Sequence, residues 1–118
     1  MFAHTVRHYN EFGGIVLDDA EGKNICEALG PDGKAVILRN HGIISAAGNV
    51  EAAVAYYIRC EELCRAQLEA DTAGHALEIS QQTISSIFAE KGGEMEATFQ
   101  AQEIYEWMED AVGLEYKS

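Results

Sequence analysis

Residues 34–48, with the sequence KAVILRNHGIISAAG, contain the strongest structural signal in this chain. Its first part, Ala35–Leu38, is wholly apolar, which is typical of a strand covered on both faces of its sheet. An NHG turn follows, and a second apolar run at residues 43–46 predicts another strand. The glycine beside His41 lets other groups approach the backbone closely. The pattern therefore predicts an imidazole held at the end of a central, buried strand.

The chain before this stretch predicts one strand and one helix. Residues 1–14 have no clear hydrophobic period and predict a loop. The apolar run at residues 15–17 predicts a short strand. Asp19–Leu29 follows with a helical pattern, and Gly30 is a natural helix end.

The chain after residue 48 predicts three helices. Asn49 is a suitable N-cap for a long helix over Val50–Ala73, and further helices are expected at residues 80–91 and Glu94–Val112. The residues expected to face the core are Val50, Ala53, Val54, Tyr57, Cys64 and Leu68 in the first, Ile84, Ile87 and Phe88 in the second, and Phe99, Ile104, Met108 and Val112 in the third. The order predicts an α/β fold with a thin sheet, of which at least one edge is unpaired.

Length and charge limit what the chain can be. With 118 residues it forms at most one domain, over residues 1–118. The net charge of −12 disfavours binding to nucleic acid or to an anionic membrane. No signal pattern or apolar run long enough to span a membrane is present, so a cytoplasmic location is expected.

The cysteines and histidines are the candidate metal ligands. The three thiols, Cys26, Cys60 and Cys64, form no Cys-x-x-Cys pair and are predicted to be buried core residues, with a metal or redox role as the alternative. Taken by itself, His41 could be a metal ligand, a general base or a polar residue that binds loop backbone. The remaining histidines are His4, His8 and His75; His75 is expected to be exposed, and a site formed by His4, His8 and His41 is possible.

Three segments resemble the class II aldolase/adducin family: FGGIVLD (residues 12–18), EALGPDGKAVILRNHG (27–42) and VEAAVAYYIRCEELCRAQLEA (50–70). The NHG turn, its preceding strand and its following helix are fairly specific as a set. The resemblance covers residues 8–75 well and is weaker over FQAQEIYEWME (99–109). It implies the C-terminal half of the domain, with a partial three-layer α/β fold of few central strands and C-terminal helices.

The same resemblance implies a metal site to which His41 contributes one ligand. Family enzymes cleave or epimerise sugar phosphates, or dehydrate related metabolites, with a divalent metal, usually zinc, held by three histidines. Two of these histidines form a His-x-His pair upstream of the NHG turn. A catalytic acidic residue and a phosphate-binding loop also lie upstream of that turn. This sequence has no His-x-His pair, so those parts are expected before Met1 and zinc is not expected to be retained.

Three functional hypotheses follow. The first is a fragment or truncated relative of a metal-dependent aldolase-type enzyme, inactive alone, whose partner is a second copy or a complementary N-terminal half. The second is a non-catalytic, adducin-like interaction module. The third is an enzyme whose site is completed across a subunit boundary, and a small sugar-phosphate-like substrate is expected only if the site is completed.

Overall fold

A computed structural model describes residues 1–13 and 19–115. Three strands and four helices lie in these ranges: β1 Val6–Tyr9, α1 Asp19–Leu29, β2 Ala35–Leu38, β3 Gly42–Ser45, α2 Val50–Ala73, α3 Gln81–Lys91 and α4 Glu94–Val112. This small sheet with helices packed on it confirms the predicted α/β fold class. Across the two described ranges, no helix combines the length and the apolar character that crossing a membrane requires.

The sheet has the order β1-β2-β3, with β2 at its centre as predicted. β2 pairs in parallel with β1 and antiparallel with β3. Val36 and Leu38 are buried with Ile25 of α1 on one face. On the other face the hydroxyl of Ser45 in β3 donates to the carbonyl of Ala53 in α2 at 2.9 Å. Helices therefore pack on both faces of the sheet, and three of the four residues of β2 are buried, in keeping with its continuous apolar sequence.

The prediction of a loop over residues 1–14 is wrong for Val6–Tyr9, which is the strand β1. Its partner lies about 29 residues away in the chain, in the register Val6↔Ala35. Hydrogen bonds at the two ends of the strand show this pairing. The carbonyl of Thr5 accepts from the amide of Lys34, and the carbonyl of Tyr9 accepts from the amide of Arg39. A short strand with polar residues has little local signal, so only this long-range pairing defines it. The strand predicted at residues 15–17 lies outside the described ranges.

The core face of α2 differs from the predicted one. Its buried residues are Ala52, Ala55, Tyr56 and Cys60, whereas Val50, Tyr57 and Leu68 are exposed. The reason is close packing between helices: the alanines of α2 meet Ala97 and Ala101 of α4, which are also fully buried. Small side chains let two backbones approach, so they define the contact in place of the larger apolar residues.

The predicted core faces of α3 and α4 are also wrong in part. Phe99 of α4 is 63% exposed, and Met108 and Val112 are exposed as well, while Ile104 is half-buried. α3 has no fully buried residue; Ile84 and Phe88 are half-buried and Ile87 is exposed. Because the chain offers few surfaces for these helices to cover, part of their apolar stripes faces outward.

Candidate functional site

His41 lies in the loop that joins β2 to β3, as the sequence predicts. Its amide donates to the carbonyl of Leu38 at 3.1 Å, which closes a turn over residues 38–41. Within this turn Asn40 has φ 57°, a left-handed conformation that asparagine tolerates better than most residues. The turn leaves the His41 residue exposed at the end of the central strand.

The imidazole of His41 rests on an aromatic ring. The ring centroids of Phe12 and His41 are 4.6 Å apart, with planes inclined by 50°. Phe12 in turn packs against the buried cluster that contains Val36 and Leu38. The exposed histidine is thus connected to the core through one side chain. No local sequence pattern indicates this contact of Phe12, although the residue lies in the FGG segment that carries part of the family resemblance.

The other histidines lie in different surroundings. The Nε2 atom of His4 is 3.3 Å from the side-chain oxygen of Gln81 in α3. His8 pairs with Ile37 and lines a groove below α2, and His75 lies in the exposed segment after α2.

The side chains of the described residues do not by themselves form a zinc site. A catalytic zinc takes three protein ligands. Within residues 1–13 and 19–115, no three histidine, cysteine, aspartate or glutamate side chains are grouped to hold a metal ion. His41 can serve as one ligand only if further donors come from elsewhere.

The cysteines divide between core and surface. Cys60 is buried, as predicted, and Cys64 is half-buried one turn later. Burial raises the pKa of the Cys60 thiol to about 11, and the neighbouring Cys64 acts in the same direction. A raised pKa keeps the thiol protonated and unreactive near neutral pH. The prediction is wrong for Cys26, which is exposed because Ile25 occupies the core side of α1.

A second concave region, of about 470 Å³, lies beside Lys34. The ammonium of Lys34 donates to the carbonyl of Met1 at 2.7 Å and to that of Gly92. It also lies 5.0 Å from the ring centre of Tyr56 and 4.8 Å from that of Phe88. Burial lowers the pKa of Lys34, while Glu94 opposes that shift. Lys34 therefore joins the N-terminus, α2 and the end of α3, a structural role that a single lysine in the sequence does not indicate.

Known proteins resemble this chain in sequence and in fold. A family model described as Class II Aldolase and Adducin N-terminal domain matches residues 2–68. Decarboxylase NovR of Streptomyces niveus is 34% identical over 71 residues, which are 60% of this chain and 26% of that protein. Alpha-adducin of Rattus norvegicus is 38% identical over 60 residues, 51% of this chain and 8% of that protein.

Two solved structures share the fold. The L-fuculose 1-phosphate aldolase from Glaciozyma antarctica PI12 superposes with a TM-score of 0.80 and 32% identity, over 95% of this chain and 41% of that chain. An aldolase II superfamily protein from Pseudomonas syringae superposes with a TM-score of 0.76 and 25% identity, over 95% of this chain and 46% of its own.

The chain spans less than half the length of each of these relatives. The family match nevertheless covers more than half of the 118 residues, including the strand, the NHG turn and most of α2. The chain therefore belongs to the class II aldolase and adducin N-terminal domain family.

Proposed function

We propose that this chain is a partial relative of a metal-dependent class II aldolase-type enzyme and that it is inactive by itself. The observation that carries the proposal is the position of His41, exposed at the end of the central strand and held against Phe12. An imidazole in this place is free to share a metal ion with donors that approach from outside the chain. The family resemblance assigns that role to the histidine of the NHG turn.

The proposed complete unit is a zinc-dependent lyase or epimerase that acts on small sugar-phosphate-like metabolites. The chain would correspond to the C-terminal half of its domain. A complementary N-terminal half would bring the His-x-His pair, the acidic residue and the phosphate loop, in an oligomer located in the cytoplasm. By itself the chain offers one credible zinc ligand where a catalytic site takes three, so we expect neither stoichiometric zinc nor turnover.

Metal content and turnover test this proposal directly. The purified chain is dialysed against zinc and measured for bound metal and for aldol cleavage of simple sugar phosphates, beside its His41→Ala variant. We expect weak, non-stoichiometric zinc that does not differ between the two proteins. One tightly bound zinc per chain, lost in the variant, would contradict inactivity of the single chain and would favour an enzyme that completes its site with its own residues or across a subunit boundary.

The second candidate function is a non-catalytic, adducin-like interaction module. The observation that favours it is the match to rat alpha-adducin, which is 38% identical to this chain over 60 residues. The coding sequence upstream of Met1 bears on both candidates. An in-frame continuation with a His-x-His pair and a loop rich in glycine, serine and threonine would make the full protein an enzyme, whereas a stop codon there would be compatible with the truncated relative and with the interaction module.

A further inference from the structure

We propose that residues 74–93, which contain α3, form an arm that opens as one unit while the sheet, α2 and α4 stay folded, and that Lys34 holds this arm closed. The inference does not depend on the proposed function, because neither a metal ion nor a substrate takes part in it. It gives the half-buried Lys34 a role in a conformational change.

The first observation is how little of the arm is buried. Of residues 74–91, only Ile84 and Phe88 are not exposed. In the described part of the chain, α3 supplies no residue to either buried cluster, whereas α2 and α4 form one of these clusters between them. A helix that buries so little apolar surface gains little stability from tertiary packing.

The second observation is that α3 is weak as a helix in its own right. It has 11 residues, and isolated helices shorter than about 12–15 residues are marginal in water. Residues 83–88, with the sequence TISSIF, rank below alanine, leucine, glutamate and lysine in helix propensity at every position. The helix therefore depends on the few contacts that connect it to the rest of the chain.

The third observation is that glycines lie at both ends of the arm. Gly74 follows α2 with φ 154° and ψ −151°, a conformation that is essentially restricted to glycine. Gly92 and Gly93 separate α3 from α4. Short segments of this kind at the ends of elements are where a chain absorbs the φ and ψ changes of an opening motion.

The fourth observation is that the arm is held at Lys34. The ammonium of Lys34 donates to the carbonyl of the buried Gly92 and lies 4.8 Å from the ring centre of Phe88. On the side of the folded body it donates to the carbonyl of Met1 at 2.7 Å and lies 5.0 Å from the ring centre of Tyr56. One positive charge thus connects the end of α3 to the N-terminus and to α2.

Two further polar contacts of the arm lie at the surface. The Nε2 atom of His4 is 3.3 Å from the side-chain oxygen of Gln81, and Lys91 pairs with Glu96 at 3.2 Å. Exposed contacts of this kind contribute little to stability. Between α3 and the end of α2 lies a concave region of about 660 Å³, so the helix bridges this region and does not fill it.

Opening of the arm changes the surroundings of Lys34. Phe88 and Gly92 leave the ammonium, and the concave region of about 470 Å³ beside it, which has Tyr56 and Glu94 in its wall, widens on that side. The arm is therefore a lid on this region, and Lys34 is both the residue that it covers and the residue that keeps it closed.

Native-state hydrogen exchange, measured by mass spectrometry on the full 118-residue chain, tests the arm. We expect the amides of α3 to exchange together, about 100 times faster or more than the buried amides of α2 and α4. Urea below the unfolding transition should accelerate exchange in α2 and α4 but hardly in α3, because opening of the arm exposes little surface. Equal protection of α3 and α2 in the wild type would overturn the proposal.

Two variants test the role of Lys34. Lys34→Met removes the donor to Gly92 and should accelerate exchange in α3 about tenfold or more. Phe88→Leu keeps an apolar side chain but removes the ring beside the ammonium, and it should accelerate exchange in α3 about two- to fivefold. In both variants α2 and α4 should change less than α3.

Lys23→Met is the matched control, since Lys23 is exposed in α1 and lies outside the arm. It should leave the exchange of α3 at the wild-type rate. If α3 exchanged in both test variants as slowly as in this control, Lys34 would not hold the arm closed. Equal acceleration of α2, α3 and α4 would also contradict the proposal, because the chain would then open only as a whole.

Discussion

The imidazole of His41 packs on the ring of Phe12, with the centroids 4.6 Å apart, so the exposed residue of the NHG turn is connected to the buried cluster of Val36 and Leu38. This contact joins the loop after β2 to the segment after β1, two regions almost 30 residues apart in the chain. Such a contact restricts the orientations of an imidazole that is otherwise open to solvent. The pair therefore fixes the position of the imidazole to which the proposed function gives a metal-binding role.

Replacing Phe12 by leucine should remove the ring contact with His41, while the leucine side chain keeps most of the apolar volume. We expect the His41 ring-proton signals to shift in NMR spectra, because the aromatic neighbour is lost. The free energy of unfolding in urea should fall by about 0.5–1.5 kcal/mol, the usual value of an aromatic pair. Phe99→Leu, at an exposed position of α4, serves as the control and should change neither quantity. Unmoved His41 signals in the Phe12 variant would contradict the contact.

Asn40 should tolerate glycine and reject valine. Its φ of 57° is unfavourable for a β-branched residue, whereas glycine adopts it freely. We expect Asn40→Val to lower the free energy of unfolding by about 1–2 kcal/mol and Asn40→Gly to leave it within about 0.5 kcal/mol. Urea denaturation followed by circular dichroism measures both. Equal losses in the two variants would mean that the asparagine side chain, and not the backbone conformation, stabilises the turn.

Asn49 should stabilise two helices at once. Its side-chain oxygen accepts from the amide of Ala52 and caps α2, and its amide nitrogen donates to Glu94 and Thr98 of α4 at 3.1 Å each. We expect Asn49→Ala to cost about 1–2 kcal/mol of unfolding free energy, as cap losses do. Asn49→Asp keeps the cap but puts a carboxylate beside Glu94, so its cost should be intermediate at pH 7.

The N-cap of α3 provides the control for Asn49. Ser80 also caps a helix, through the amide and the hydroxyl of Thr83, and within residues 1–13 and 19–115 it makes no bond to another helix. Ser80→Ala should therefore cost less than Asn49→Ala in the same urea experiment. If Asn49→Asp were as stable as the wild type, the bonds to α4 would contribute nothing beyond the cap.

Alkaline pH should destabilise the fold through Cys60. Burial raises the pKa of this thiol from about 9.0 to about 11, so between these values the unfolded chain loses the proton while the folded chain keeps it. The thiol's contribution to stability is complete below pH 9 and is lost as the pH rises toward 11. Urea titrations at pH 8, 9.5 and 11 should show a smaller fall in stability for Cys60→Ala than for the wild type. Cys26→Ala, at an exposed position of α1, serves as the control variant in the same urea titrations.

Lys34→Met should destabilise the junction of the N-terminus, α2 and α3. The substitution keeps the length of the side chain but removes the donor to Met1 and to the buried Gly92. An unpaired buried carbonyl costs about 1–3 kcal/mol, and we expect a loss of that size in urea denaturation. Lys91→Met is the matched control, because Lys91 is largely exposed and pairs with Glu96 at the surface, so that its loss should cost about 0–1 kcal/mol.

The elements with a strong local pattern were predictable from the sequence. Three signals are each contained within a few residues: the apolar run of β2, the capped start of α2 and the glycines around α3 and α4. The structure has these elements where the sequence predicts them. The position of His41 at the end of β2 followed from the same local pattern. It required no knowledge of the rest of the fold.

Contacts between distant segments were not predictable in this way. β1 is a strand because Ala35–Leu38 pairs with it, and alanines lie at the contact between α2 and α4 because two helix backbones meet there. Segments far apart in the chain also form three further features. These are the contact of the His41 ring, the bonds of Lys34 and the apolar groove beside β1. The order of the elements and the histidine turn follow from local propensity and periodicity, which a single stretch of sequence contains. The buried helix faces and the strand pairing depend on tertiary contacts, because burial and pairing are properties of two surfaces in contact and not of either one alone.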